Sequence, residues 1–364
     1  MKLIEITTAL EAFAPLSLQE NYDNAGLLTG DYEQEISQAM LCLDVTEAVL
    51  KEAITTGCNL VIAHHPVIFS GIKKITGNNY VERILLLAIR NHIAIYAAHT
   101  NLDNLSYGVN AKIAERLHLQ DLKVLSAKND QLLKLFTFAP ISHAEKVRAA
   151  LFEAGAGSIG NYDECSFNVD GIGTFRGNDS SNAFLGEKGK RHMEPETKIE
   201  VIFPHWRRQQ IISALRKSHP YEEVAYDIVA LANTWDQTGA GLTGKLEAPM
   251  KTDAFLQYLK EKMSAKIIRH TALCKNSIST VAICGGAGSF LLRNAINTGV
   301  DIFISADFKY HQFFDADNAI IIADIGHFES EQFTPEIFAD VLRQKFPTFA
   351  VRFTSINTNP INYY

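Results

Sequence analysis

The chain has 364 residues, 47% of them hydrophobic and 21% charged, which provides core for two or three packed domains and excludes a disordered chain. A net charge of -7 argues against a general nucleic-acid surface or an anionic-membrane surface. No run reaches the roughly 18 apolar residues of a membrane helix, no charged-then-apolar signal pattern opens the chain, and the five cysteines are scattered without a C-x-x-C pair, so a cytoplasmic protein with reduced thiols is expected.

In chain order, residues 39–44 read as a strand, and residues 46–56 as a helix with Thr46 as N-cap and Gly57 as its stop. Residues 60–63 are a short apolar run of buried-strand type. Residues 79–91 form a helix with Val81, Ile84, Leu85 and Ala88 on one face, followed by a strand over 93–98 and a helix over 108–118. This alternation predicts βαβ units and a mainly parallel sheet. After residue 127 the style changes. A strand over 133–138 leads through Pro140 into a helix carrying Val147 and Leu151, and a strand over 199–203 leads through Pro204 into a helix carrying Ile211 and Leu215. The two units superpose at an offset of 64 residues, and a further strand over 224–230 closes the second. These are the ingredients of a ferredoxin-like α+β domain, with a glycine-rich stretch over 155–189 that must supply turns, hairpins or a loop. Strands over 280–284, 301–305 and 319–323 then restore the first style. The expected fold is α/β: a discontinuous main domain with mainly parallel sheets, formed by 1–127 and 246–364, interrupted by an inserted domain over 128–245.

Three of the main-domain strands end in metal-binding residue types. His64 and His65 follow the 60–63 strand, Asp103 follows the 93–98 strand, and His327 with Glu331 follow the 319–323 strand. Carboxyl ends of strands in an open α/β sheet face a common crevice, so these five side chains are the candidate ligands of a site for two divalent metal ions. Adjacent strand residues point to opposite faces, so His64 and His65 share a site only if the backbone turns, and Pro66 directly after them ends regular pairing. The i,i+4 spacing of His327 and Glu331 stacks them on one helix face. With no cysteine in the set, imidazole and carboxylate suit zinc, iron, manganese or nickel, and a finger-type structural zinc is excluded. Two ions (+4) against Asp103 and Glu331 (-2) would leave the pocket at +2, which favours an anionic small molecule or nucleotide. Gly285-Gly286-Ala287-Gly288 lacks both GxGxxG spacing and a P-loop lysine and reads as a tight turn. Asp307, Lys309 and His311 follow another strand end and are candidates to line the crevice.

At these residues the chain resembles the GTP cyclohydrolase 1 type 2 family, also named for an NGG-interacting factor. The resemblance rests on Tyr22-Asp23-Asn24-Ala25-Gly26-Leu27, Ala63-His64-His65-Pro66, His99-Thr100-Asn101-Leu102-Asp103, Cys284-Gly285-Gly286-Ala287-Gly288 and Gly326-His327-Phe328-Glu329-Ser330-Glu331. It implies a two-metal centre on His64, His65, Asp103, His327 and Glu331, and a toroidal homohexamer with the metal sites facing an internal cavity. Gly155 to Tyr162 and His219 to Asp227 are similar to the PII/CutA-like insert of longer members. Ser305-Ala306-Asp307 departs from the family's Thr-Gly-Glu or Thr-Gly-Asp and bears on the shape of the substrate pocket, not on the metal ligands. For catalysis the candidates are Glu331, with His99 or His311 as acid/base and Lys309 as a phosphate contact. The expected function is a metal-dependent hydrolase on a nucleotide or phosphorylated small molecule. The competing expectation is a non-catalytic, hexameric metal-binding scaffold or regulator with a PII-like sensor or lid.

Overall fold

A computed structural model describes all 364 residues, which pack as two compact units: residues 1–127 with 237–364, and residues 128–236. Residues 237–245, which the sequence groups with the insert, belong instead to the first unit, most of them in its long strand Gly239–Lys251.

The first unit holds two sheets. One has the order Gly26–Thr29, Ala94–Ala97, Leu60–Ala63, Gln38–Cys42, Ala350–Phe353, all parallel except its first pair. Its middle strands are buried along their length because helices cover both faces, which is why they read as unbroken apolar runs. The Glu47–Thr56 helix starts where the Thr46 hydroxyl accepts the Val49 amide at 3.2 Å and stops where Gly57 takes the left-handed φ of 77°. The Tyr80–Arg90 helix is capped by Asn79 and lays Ile84, Leu85 and Ala88 against Val61, Ala63 and Ile95. Full burial of each such aliphatic side chain contributes about 1.5–3 kcal/mol at most.

The second sheet runs Arg269–His270, Ile321–Asp324, Ile302–Ala306, Ser277–Ala287, Gly239–Lys251, Gln120–Ala127. Only its central three strands are parallel. The outer pairs are antiparallel, so this sheet is less parallel than the alternation of elements suggests. Phe303, Ile322, Ala282 and Leu292 form its core.

The second unit is a four-stranded antiparallel sheet of order Phe167–Phe175, His192–Pro204, Leu132–Pro140, Tyr226–Ala230, with the Ile141–Glu153 and Arg208–Ser218 helices between strands. Val147, Leu151, Ile211 and Leu215, the matched positions of the internal repeat, are all buried against Leu135, Ile199 and Val201. The glycine-rich stretch contains a nine-residue edge strand, Phe167–Phe175.

Candidate metal centre

The Leu60–Ala63 strand ends one residue before His64, and the Leu43 carbonyl then accepts both following amides, His64 N at 3.2 Å and His65 N at 3.0 Å. Gathering two successive amides onto one oxygen turns the backbone, and the two rings stand side by side with centroids 4.8 Å apart. Asp103 closes a one-turn helix, Thr100–Asp103, just past the end of the Ala94–Ala97 strand. His327 and Glu331 come from the His327–Glu331 helix, entered through Gly326 at φ 97° after the Ile321–Asp324 strand.

The five side chains predicted as ligands meet. His64 Nε2 lies 3.6 Å from Asp103 Oδ1 and 3.7 Å from Glu331 Oε1. His65 Nε2 lies 2.9 Å from Glu331 Oε2, and His327 Nε2 lies 3.1 Å from the same oxygen. Two groups result, His64/Asp103/Glu331 and His65/His327/Glu331, each with donor atoms within 4.8 Å of one another. Glu331 belongs to both and turns one oxygen to each. His64 Nε2 and Asp103 Oδ1 are buried without any hydrogen-bond partner in the protein. Orphaned polar atoms of this kind require an explanation, and a shared cation is the one that their chemistry fits.

Each histidine is fixed through its other nitrogen. His64 Nδ1–H donates to the Ala98 carbonyl at 2.8 Å, His65 Nδ1–H to Asp44 at 2.7 Å, and His327 Nδ1–H to Asp307 at 2.6 Å. This sets the tautomer and aims Nε2 at the cluster. Asp307, a crevice candidate, is thereby placed as a partner of a ligand. Asp44 was missed, although it stands just beyond the Gln38–Cys42 strand, where the same strand-end logic applies.

The electrostatics follow from burial and pairing. Burial holds His64 down at about 4, overcoming the pull of Glu331. For His65 burial also opposes the charge, but hydrogen bonds to Asp44 and Glu331 outweigh it and lift the ring to about 9. His327 is lifted likewise, to about 11, by Asp307 and Glu331. Burial and the charge of Glu331 push Asp103 upward, while the three histidines hold Glu331 well below the carboxylate range against its own burial. Cys284 also lines the cavity, and burial beside Asp103 and Glu331 pushes its thiol up.

Gly286 is explained by Glu331 and Gly285 by Val109. A Cβ on Gly286, at φ 62°, would stand 2.4 Å from Glu331 Oε1, and one on Gly285 would stand 2.9 Å from Val109 Cγ1. Gly286 N also donates to Ser330 Oγ at 2.9 Å, and Ser305 Oγ donates to the Gly286 carbonyl at 3.0 Å. The motif is the end of the Ser277–Ala287 strand, where the backbone closely approaches Glu331, rather than a tight turn.

The donors face a cavity of about 770 Å³ whose wall includes Tyr22, Phe69, His99, Phe290 and Phe328. His99 stands with its ring 5.2 Å from His64 and 5.4 Å from His65, its Nδ1 held by Asp23 at 2.8 Å, and Asp23 is anchored in turn by Thr100. Asp23 explains the Tyr22-Asp23-Asn24 motif and was not singled out as a site residue. His311 and Lys309 do not join the site. The backbone reverses at Asp307 (φ 58°) into the Tyr310–Ala316 turn, both side chains are exposed, and His311 packs on Tyr310 and Phe314 outside the cavity. No lysine or arginine lines the cavity.

A family model described as Duf34/NIF3 (NGG1p interacting factor 3) matches residues 1–360. The chain is 36% identical over the full length of both proteins to a GTP cyclohydrolase 1 type 2 homolog of Halalkalibacterium halodurans. It is 37% identical to one of Bacillus subtilis, over 89% of this chain and 87% of that one. Among solved structures, a Bacillus cereus protein related to NIF3 superposes with a TM-score of 0.88 at 34% identity, covering 100% of this chain and 99% of its own.

Proposed function

The chain belongs to the Duf34/NIF3 family, and from that premise we propose that it is a dinuclear, metal-dependent hydrolase acting on a nucleotide or another phosphorylated small molecule. The observation that carries this reading is the shared Glu331, whose two oxygens serve two separate donor groups. His64, Asp103 and Glu331 would hold one divalent ion, and His65, His327 and Glu331 the other. When bound, such ions supply Lewis-acid activation of water and of a phosphoryl or carbonyl oxygen. The residues supply the rest. Asp44, Asp307 and the Ala98 carbonyl keep the three imidazoles oriented, and the aromatic wall excludes water from a flat substrate. His99, oriented by Asp23, is the side chain placed to carry a proton to or from a substrate above the cluster.

The charge balance expected from the sequence changes once the partners are counted. Asp103, Glu331, Asp44 and Asp307 give -4 against +4 for two divalent ions, so the centre is near neutral rather than +2. With no lysine or arginine on the wall, a phosphate must face the ions directly, and a triphosphate has no side-chain cation to hold its outer groups. That favours a substrate of modest charge. The same observation gives the competing reading, a non-catalytic metal-binding protein, its specific support. The hexameric assembly implied by the resemblance is part of the proposal, and the exposed Phe290, Tyr310 and Phe314 (67–73% exposed) suit a subunit interface.

The test is hydrolysis of a panel of nucleotides and small phosphate esters by the metal-loaded full chain. Turnover of at least one member, lost in Glu331→Gln, supports the enzyme. Metal-loaded, folded protein that turns over none of them supports the non-catalytic reading.

A further inference from the structure

A second cavity, of about 650 Å³, lies wholly within the unit of residues 128–236 and takes no part in the chemistry above. It is built on the edge of the four-stranded sheet. The Phe167–Phe175 strand pairs with His192–Pro204 so that Gly171 stands opposite Glu196 and Gly173 opposite Glu194. Glycine within a strand weakens it unless something needs the space. A Cβ on Gly171 would meet nothing within 4 Å, so the packing of the chain itself does not demand a glycine there. A Cβ on Gly173 would fall 1.9 Å from Glu196 Oε2. Gly173 therefore makes room for the Glu196 carboxylate, and Gly171 leaves open space on the same strand.

Glu196 is 8% exposed, an unusual burial for a carboxylate with no salt bridge to a lysine or arginine. Oε1 accepts the Tyr221 hydroxyl at 2.8 Å, whereas Oε2 accepts no hydrogen bond from the protein and borders the cavity. Tyr221 is held in turn by His219, whose Nδ1 accepts the Tyr221 amide at 3.1 Å and whose Nε2 bonds to the Phe138 carbonyl at 2.9 Å. Around the carboxylate stand aromatic rings: Phe175 with its centroid 5.9 Å from that of Tyr221, and Phe184 with its centroid 6.4 Å from it. The cavity's charged side chains are Asp170, Glu196, Glu222 and Glu223 against Arg176 and Lys198, a formal balance of -4 + 2 = -2. Lys198 is committed elsewhere, at 2.7 Å from Glu200 and over the Phe136 ring.

A buried, half-satisfied carboxylate inside a cluster of aromatic rings has a definite complement. Ring faces and a carboxylate both attract a cation, and the apolar wall rewards a ligand whose charge sits on a hydrophobic body. An anion would face four carboxylates against Arg176 and Lys198. From the opened strand, the unpartnered Glu196 oxygen and the surrounding rings, we infer that this cavity is a binding site for an organic cation, an amine or alkylated ammonium carried on an apolar group. This site is independent of the metal centre.

Calorimetric titration of the full chain with benzyltrimethylammonium tests this, with p-toluenesulfonate as an anion of similar size. The expected result is saturable binding of one ammonium per subunit and none of the sulfonate. Glu196→Gln should weaken binding at least tenfold. Phe184→Ala, at an exposed position that the fold tolerates, should weaken it by roughly three- to thirtyfold. Binding should be unchanged in Glu331→Gln, which separates this site from the metal centre. Absence of saturable ammonium binding to the wild-type chain, equal or tighter binding of the sulfonate, or affinity indifferent to both cavity substitutions would each overturn the inference.

Discussion

Two cavities of similar size, about 770 Å³ around the donor cluster and about 650 Å³ in the inserted unit, are built on opposite plans. The first is made from the ends of buried parallel strands, and every histidine in it is fixed by a second partner. The second lies against an exposed edge strand, and its one buried carboxylate is fixed by a single tyrosine. Glycine plays opposite roles in them. At the cluster Gly286 lets a ligand residue press against the backbone, whereas at the edge strand Gly171 leaves space that nothing in the chain fills. Strand ends give a pre-organised site, and an opened sheet edge gives one suited to shape and charge.

The contrast can be broken most severely at Gly286. In Gly286→Ala the new methyl group displaces the Glu331 carboxylate and the residue keeps an unfavourable φ, so bound metal per subunit, by elemental analysis, should fall to less than half of the wild-type value. Wild-type metal content in this variant would show that Glu331 does not need its observed position. A smaller effect is expected from removing an orienting partner while leaving all ligands in place. Asp44→Asn should weaken metal affinity by about 10–100-fold, measured by competition with a chelator, and unchanged affinity would reduce Asp44 to a bystander.

Smaller again is a proton count. In the metal-free protein His65 titrates near 9 and His327 near 11, both above the ordinary 6.5, so both rings are charged at pH 7. Metal ligation needs their Nε2 lone pairs, so zinc binding should release about two protons per subunit, read from calorimetry in buffers of different ionisation enthalpy. Affinity should therefore rise with pH from 7 through 9, and zero proton release would contradict the assignment. The sign for stability is opposite. Because both folded values are raised, the stabilisation that these protons give the metal-free fold is complete below about pH 6.5 and is lost as pH climbs through about 9 for His65 and about 11 for His327. The smallest expected effect is Gly171→Ala in the insert, where stability should stay within about 0.5 kcal/mol of wild type by denaturant unfolding. A large loss there would mean that the space is structurally required.

The convergence of the five side chains was legible because buried parallel strands leave a strong sequence signal and deliver their last residues to one crevice. The helix over Glu47–Thr56 was legible through Thr46 and Gly57 for an equally local reason. What escaped was whatever lacks a local pattern. Asp44 and Asp23 act through histidines 21 and 76 residues away, a relation that spacing cannot reveal. The Gln120–Ala127 and Phe167–Phe175 strands are largely exposed and carry no apolar run. Gly239–Lys251 was misplaced at the boundary because its pairing, not its composition, ties it to the first unit. His311 and Lys309 looked like site residues by strand-end logic, and the left-handed turn at Asp307 is what directs them away.

Whether Glu331 is shared between two cation sites is decided by anomalous diffraction at the absorption edge of zinc from zinc-soaked crystals. Two peaks per subunit are expected, one bounded by His64, Asp103 and Glu331 and the other by His65, His327 and Glu331. A single peak, or peaks away from these side chains, would contradict that sharing.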